Sequence, residues 1–288
     1  ALSDRDLMIA SSPRRIAASG LRHLVMALLA LVVLLPIIWL VVSSIRPTDR
    51  IFVSVADFEW RIFLPDSATF EHYRALWHTG FPRAVLNSVI VSFGTVAFGV
   101  LVNALAGFAF AVFRFPGRDV LFVCVLASFM MPFEAIVIPL YVLVRWLDWL
   151  NTYRALILPE VASGIVIFLF RQFFKAIPVE LFEAARVDGA SWLGIFFKIA
   201  MPLAWPTVAT GALMLFLVQW EAFFWPLVAA SRPEFTVVQV EIARNINFEQ
   251  ADWPSLFSMT TVAIVLAAIP FAFLQRFYIR TMLGTGLK

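Results

Sequence analysis

The chemistry-bearing side chains of this chain fall into two groups. The first is the stretch RQFFKAIPVELFEAARVDGASWLGIFFKIAMPLAWP, residues 171–206. Pro178 stands where a helix can begin, and Glu180 and Glu183 follow in its first turns, where the helix dipole favours acids. Leu181, Ala184, Ala185 and Asp188 occupy neighbouring helical positions and give a flat, small-residue face. Asp188-Gly189 is a turn signal, and Ser191 is placed to cap a second helix over Trp192–Ile199 that leads into Pro202. The pattern is a helix–turn–helix built for close approach by another protein, or, read more plainly, an amphipathic surface loop. The second group is a set of acids inside apolar sequence: Glu134, and Glu221 with Gln219, Trp220 and Trp225 around it. A carboxylate between indoles can accept hydrogen bonds from sugar hydroxyls while a ring stacks on the sugar face. The competing role for both acids is hydrogen bonding between helices or contact with a partner.

Neither group is a catalytic constellation. A phosphate-binding loop needs G-x-x-x-x-G-K-[ST], and the only lysines, Lys175, Lys198 and Lys288, do not follow a glycine. H-E-x-x-H and G-x-G-x-x-G are absent, and His23, His72 and His78 have no ligand spacing. No metal site, no cofactor and no catalytic residue is therefore expected in this chain. The single Cys124 lies in an apolar run, cannot form an intrachain disulfide, and reads as a small buried hydrophobe.

The elements that must position these residues are membrane spans. Of 288 residues, 62% are hydrophobic and 14% charged, with mean hydropathy +0.90. Soluble domains are about 45–50% apolar and about 25% charged, so the class is an all-α polytopic membrane protein; disorder and disulfide-stapled folds are excluded. Gaps between charges mark six spans, at Leu24–Ile45, Ala84–Phe113, Val120–Val144, Ala155–Phe170, Met201–Ser231 and Trp253–Gln275, judged against the roughly 20 residues a bilayer requires. The fourth is short and carries Glu160 near its start. Leu24–Ile45 is too long for the apolar core of a cleaved signal. The prolines Pro36, Pro132, Pro139, Pro206, Pro226 and Pro270 predict kinks, and Gly99, Asn103, Gly107 and Ala111 form a small-residue packing stripe.

Basic residues orient the spans. With both termini inside, 13 of the 22 fall on the inner side, including Arg5, the tight Arg114–Arg118 turn and all three lysines. The net charge of +3 thus reflects inner loops rather than nucleic-acid binding. The expected organisation is an inner segment 1–23, a six-helix domain 24–278 with the surface element at about 178–200, and an inner tail 279–288. Arg46–Arg83 would lie outside. Its aromatics, Phe52, Phe58, Trp60, Phe63, Phe70, Tyr73, Trp77 and Phe81, suit an interfacial loop with a short helix near Thr69–Trp77 or a docking surface.

Glu183-Ala184-Ala185, three residues, Gly189, nine residues, then Ile199-x-Met201-Pro202 resembles the EAA motif of ABC importer permeases, with Met201 in place of the usual Leu. The string LFRQFF…IPVELFEAARVDGAS is similar to the MalG-type carbohydrate-uptake branch. So are Asn87-Ser88, Arg114-Phe115-Pro116-Gly117-Arg118, Met131-Pro132 through Ile138-Pro139-Leu140-Tyr141, and Gln275-Arg276-Phe277; the likeness runs from about Asn87 to Lys288. The resemblance implies a type I ABC importer permease fold in the bacterial cytoplasmic (inner) membrane. It implies a second, MalF-type permease, two cytoplasmic ATPase subunits that bind ATP and Mg, and an extracytoplasmic substrate-binding protein. Glu183, Ala184, Ala185, Asp188 and Gly189 would then be the coupling element that seats in an ATPase cleft.

Two other classes bear comparison. A secondary transporter needs ion-coupling charges and usually internal repeats; no repeat is visible and two intramembrane acids are a thin basis. An intramembrane enzyme needs a nucleophile–base pair or metal ligands, and no histidine lies in a span's interior. Within the importer reading, sugars, oligosaccharides, polyols and glycerol-3-phosphate all fit. The absence of Lys and Arg from the long spans favours a neutral sugar over a phosphate ester.

Overall fold

The computed structural model describes residues 13–52, 60–64, 67–246 and 252–285. Arg5, Phe58 and Lys288, which entered the sequence reading, lie outside them. The described residues are helical and without strands. Chain contacts divide into two units, Ala1–His72 with Trp253–Thr261, and Tyr73–Asp252 with Val262–Lys288.

In the first unit, helix α1 (Pro13–Ser44) exposes a long apolar surface, with Leu24, Leu29, Val32 and Val33 all outward. Such a surface suits lipid. The chain after it folds back through polar contacts: Arg46 donates from its guanidinium to the Leu64 carbonyl at 2.8 Å, and Thr69 N–H donates to the Ile45 carbonyl at 2.7 Å. Trp39 meets Phe257 edge-on at 5.3 Å, and Ser258 donates to the Ser44 carbonyl at 3.3 Å.

The second unit begins within α2 (Glu71–Leu76), the short helix expected near Thr69–Trp77. Its axis is α3 (Phe81–Val112), which starts with Pro82 in the first turn and ends at an extended Phe113. At 1.5 Å per residue it is about 48 Å long, enough to cross a bilayer. Around it follow α4 (Arg118–Phe129), α5 (Phe133–Trp146), α6 (Tyr153–Ile157) with a tight turn to Glu160, α7 (Gly164–Lys175), α8 (Val179–Val187) and α9 (Trp192–Ile195). Then come α10 (Trp205–Trp220), α11 (Phe224–Ala229), α12 (Val238–Arg244) and α13 (Trp253–Thr285), the last shared between the units.

Close backbone approach explains the small residues of α3. A Cβ on Gly107 would stand 2.6 Å from Phe170 Cβ, and one on Gly99 would stand 2.8 Å from Leu215 Cδ1. So α7 and α10 pack directly on this stripe.

Three helices are long and apolar enough to span a membrane, within α1, α3 and α13. Three bent pairs make up the six: α4 with α5 at 101°, Tyr153–Glu160 with α7 at 46°, and Trp192–Leu203 with α10 at 84°. This corrects three expected spans, Ala155–Phe170 among them, since residues 161–163 between Glu160 and Gly164 are not helical. Val120–Val144 is not continuous, because α4 stops at Phe129 and Pro132 caps a new helix. Met201–Ser231 is not continuous either; Pro206 starts α10, which ends at Trp220, and residues 221–223 are not helical. Of the kink prolines, Pro36, Pro139 and Pro270 lie inside continuous helices. Cys124 is exposed on α4 beside outward Val120, Leu121 and Val123, not buried.

The breaks leave backbone groups that a bilayer cannot satisfy. At the fourth span Asn103 supplies them from α3. Its Nδ2 donates to Val161 O at 2.8 Å and to Gly99 O at 2.6 Å, and its Oδ1 accepts from Ser163 N–H at 2.8 Å. At the start of the same helix, Asn87 donates to Glu234 O at 2.9 Å and Thr236 O at 2.8 Å and accepts from Tyr153 Oη–H at 2.7 Å. Ser88 accepts from Val238 N–H at 2.8 Å. The Asn87-Ser88 pair therefore ties the segment after the fifth span to α3.

Thr79 and Asp188 are exposed near opposite ends of this helix set. In a Cys124→Ser background, a cysteine replacing Thr79 is expected to react with an impermeant maleimide added outside intact cells. A cysteine replacing Asp188 should react only after the inner face is opened. The reverse pattern would invert the topology.

Candidate functional site

The surface element forms from local signals. Pro178, in extended conformation, caps α8. Phe182 is its one buried residue, while Glu180, Leu181, Glu183, Ala184, Val187 and Asp188 are exposed and Ala185 is half-buried. Gly189 has φ +82°, the left-handed region that favours glycine, and nothing lies within 4 Å of where its Cβ would be. Ser191 accepts a hydrogen bond from Gly194 N–H at 3.1 Å and opens α9. The second helix differs from the expected Trp192–Ile199: α9 ends at Ile195 and a wider π turn, Phe196–Ala200, carries the chain to Met201–Leu203. Arg186 closes the turn, donating to Ala190 O at 2.6 Å with its guanidinium 5.2 Å from the Trp192 ring.

This element is rooted in the membrane helices through one aromatic hub. The Phe108 ring of α3 lies 5.8 Å from Phe182, 5.4 Å from Phe196 and 5.5 Å from Phe174, each edge-on. Edge-to-face pairs of this kind each contribute about 0.5–1.5 kcal/mol beyond burial. Both arms of the turn thus share one buried core with α3 and α7.

The outward face joins exposed Leu181, Val187 and Leu193 to Glu183, Ala184 and Asp188. Small residues flanked by exposed apolar side chains make a surface suited to a protein partner.

The second feature is a cavity of about 340 Å³ at the breaks of the third and fourth spans and the end of α10. Its polar lining is Thr95, Ser128, Glu160, Ser163 and Gln219; Phe129, Ile136, Met214 and Leu215 supply apolar wall. Gln219 is 5% exposed and accepts from Thr95 Oγ1–H at 3.5 Å. Glu160 is half-buried, and among the described residues no hydrogen bond or ion pair engages its carboxylate. No cation lines the cavity.

Of the pathway residues chosen from sequence, Gln219 alone lines it. Glu221 is not midway along a span: it is exposed at the end of α10, where the helix stops. Its flanking indoles are not open for stacking. Trp220 is buried against Phe216 with ring centroids 5.6 Å apart, and Trp225 is 3% exposed with Nε1 donating to Ala155 O at 2.8 Å. Glu134 is exposed in the first turn of α5. Thr95, Ser128, Glu160 and Ser163 went unselected because they sit singly on different segments; Glu160, an acid near the start of a span, was the one available signal.

An all-helical membrane domain with broken spans, a polar cavity at the breaks and a helix–turn–helix rooted in its core defines a transport protein's membrane component. The chain belongs to the family described as binding-protein-dependent transport system inner membrane component, whose model matches residues 99–284. As a member it is a permease component and not an enzyme. It is similar to the arabinooligosaccharides transport system permease protein AraQ of Halalkalibacterium halodurans, 33% identical with 91% of this chain and 94% of that protein covered. It also resembles the lactose transport system permease protein LacG of Rhizobium radiobacter, 29% identical over 94% and 97%. A third relative is the sn-glycerol-3-phosphate transport system permease protein UgpE of Brucella abortus, 30% identical over 91% and 95%. The fold matches that of a chain in the crystal structure of a bacterial ABC transporter involved in the import of the acidic polysaccharide alginate. The TM-score is 0.78 at 23% identity, covering 93% of this chain and 98% of that one.

Proposed function

We propose that this chain is one permease subunit of an ATP-driven importer of neutral carbohydrate. A second permease completes the pathway, two cytoplasmic ATPase subunits bind ATP and Mg, and an extracytoplasmic protein delivers the sugar. Glu183, Ala184, Ala185, Asp188 and Gly189 form the surface that an ATPase cleft receives. The hub at Phe108 supports this role, since closure of the ATPases then moves α8, α3 and α7 together and alternates access between the two sides. Glu134 and Glu221, exposed on this subunit, face the second permease.

The lining of the cavity carries the choice of substrate. Hydroxyl, amide and carboxylate groups accept and donate to sugar hydroxyls, whereas a phosphate ester entering the same space meets Glu160 and no cation. The arabinooligosaccharide and lactose relatives support the sugar reading; the glycerol-3-phosphate relative keeps that solute as the alternative.

The test is ATP hydrolysis by the complete transporter in vesicles, loaded with its binding protein and either neutral oligosaccharides or sn-glycerol-3-phosphate. Stimulation is expected from a neutral sugar only. Stimulation by glycerol-3-phosphate with no response to any sugar would replace the substrate class.

A further inference from the structure

A second cavity, of about 450 Å³, lies at the end of the helix set that carries α8. Arg114, Arg118 and Lys175 line it together with the apolar Phe174, Ile177 and Val179, and no carboxylate is among its lining residues. A neighbouring hollow shares Arg114 and Arg118. Charge here is only partly compensated. Asp119 is the one acid engaged, 3.2 Å from Arg118 Nε and 3.8 Å from Arg171 NH2, and it is shared between them. Among the described residues, Arg114 and Lys175 have no ion pair.

The depth of this cavity is set by its helices. The α3 helix ends at Val112 and α4 resumes at Arg118, so the cations stand where the spans leave the apolar layer. Just beyond them Val120 and Leu121 are 70% and 52% exposed. A ligand held here therefore meets positive charge at its head and apolar surface along its flank. A free anion would use only the first of these.

We propose that this cavity is a binding site for the headgroup of an anionic phospholipid, with Arg114, Arg118 and Lys175 on the phosphate and the acyl chains along Val120 and Leu121. Basic pockets between spans on the inner side suit such headgroups. The assignment rests on the membrane reading of the fold and is independent of the transported solute. Because Val179 of α8 is part of the wall, a bound lipid also touches the element proposed to receive the ATPase.

The test is native mass spectrometry of the full chain in an uncharged polyoxyethylene detergent, titrated with phosphatidylglycerol or phosphatidylcholine of the same acyl chains. Phosphatidylglycerol is expected to bind at least about tenfold tighter. Replacing Arg114, Arg118 and Lys175 together by Ala should erase that preference and leave phosphatidylcholine binding unchanged. Arg145→Ala with Arg154→Ala, away from this cavity, should preserve it, and Arg114→Lys should retain most of it. Equal binding of the two lipids by the native chain, or a preference that survives the triple replacement, overturns the proposal. Displacement of phosphatidylglycerol by inorganic phosphate at equal concentration assigns the site to a free anion and overturns it as well. Should the triple variant not be recovered intact, the native comparison and Lys175→Ala decide by the same criteria.

Discussion

Gly189→Val is expected to abolish sugar-stimulated ATP hydrolysis and uptake in the assembled transporter while the membrane helices remain folded. The φ of +82° at this position is costly for a residue with a Cβ, by about 1–2 kcal/mol, and a β-branched side chain is the worst choice. Open space around the missing Cβ means that no clash contributes; the effect is one of backbone conformation alone. To relieve it the turn must open, and opening pulls either Phe182 or Phe196 from the ring of Phe108. Gly189→Asn, which tolerates the left-handed region, should keep most activity. Glu183→Ala removes one exposed polar contact and should weaken ATPase docking by only roughly 1 kcal/mol. ATP hydrolysis and uptake measured on the same vesicles separate these cases, and full coupling in Gly189→Val would remove this element from the drive train.

Glu160→Gln is expected to lower uptake per assembled transporter about ten- to hundredfold. Hydrogen bonds to a charged group contribute about 1.5–3 kcal/mol, and Gln keeps the size and one acceptor while losing the charge. Gln219→Leu should have a comparable effect, since it removes a polar group from the cavity wall and leaves Thr95 Oγ1 without its partner. Glu221→Gln should behave differently: it is exposed at the end of α10, and with the role proposed for it against a second permease, assembly yield is expected to fall while uptake per complex stays near normal. The decisive quantity is uptake normalised to assembled complex. Native rates in both Glu160→Gln and Gln219→Leu would exclude the cavity from the pathway.

The sequence shows where apolar stretches lie but not where helices stop. The second span was legible within a few residues because charge and polarity bound it on both sides. So were the cap at Ser191 and the turn at Gly189, whose signals are local. The breaks at Met130–Pro132 and at residues 221–223 were not, because hydropathy reports transfer into lipid and is blind to helix continuity across apolar residues. The polar cavity was hidden for a related reason: Thr95, Ser128, Glu160, Ser163 and Gln219 share no spacing, and only the packing of four segments brings them together. Trp220 and Trp225 misled because composition around an acid does not say which ring faces are already covered.

Asn103 bears on how the chain is made. Until its amide meets Val161 O and Ser163 N–H, the fourth segment carries an interruption that lipid tolerates poorly. Within its own helix the Asn103 amide reaches only the Gly99 carbonyl; its other two partners belong to the fourth segment. The earlier helix thus completes the later, broken one: a single amide on α3 meets the backbone groups that the fourth segment cannot satisfy for itself.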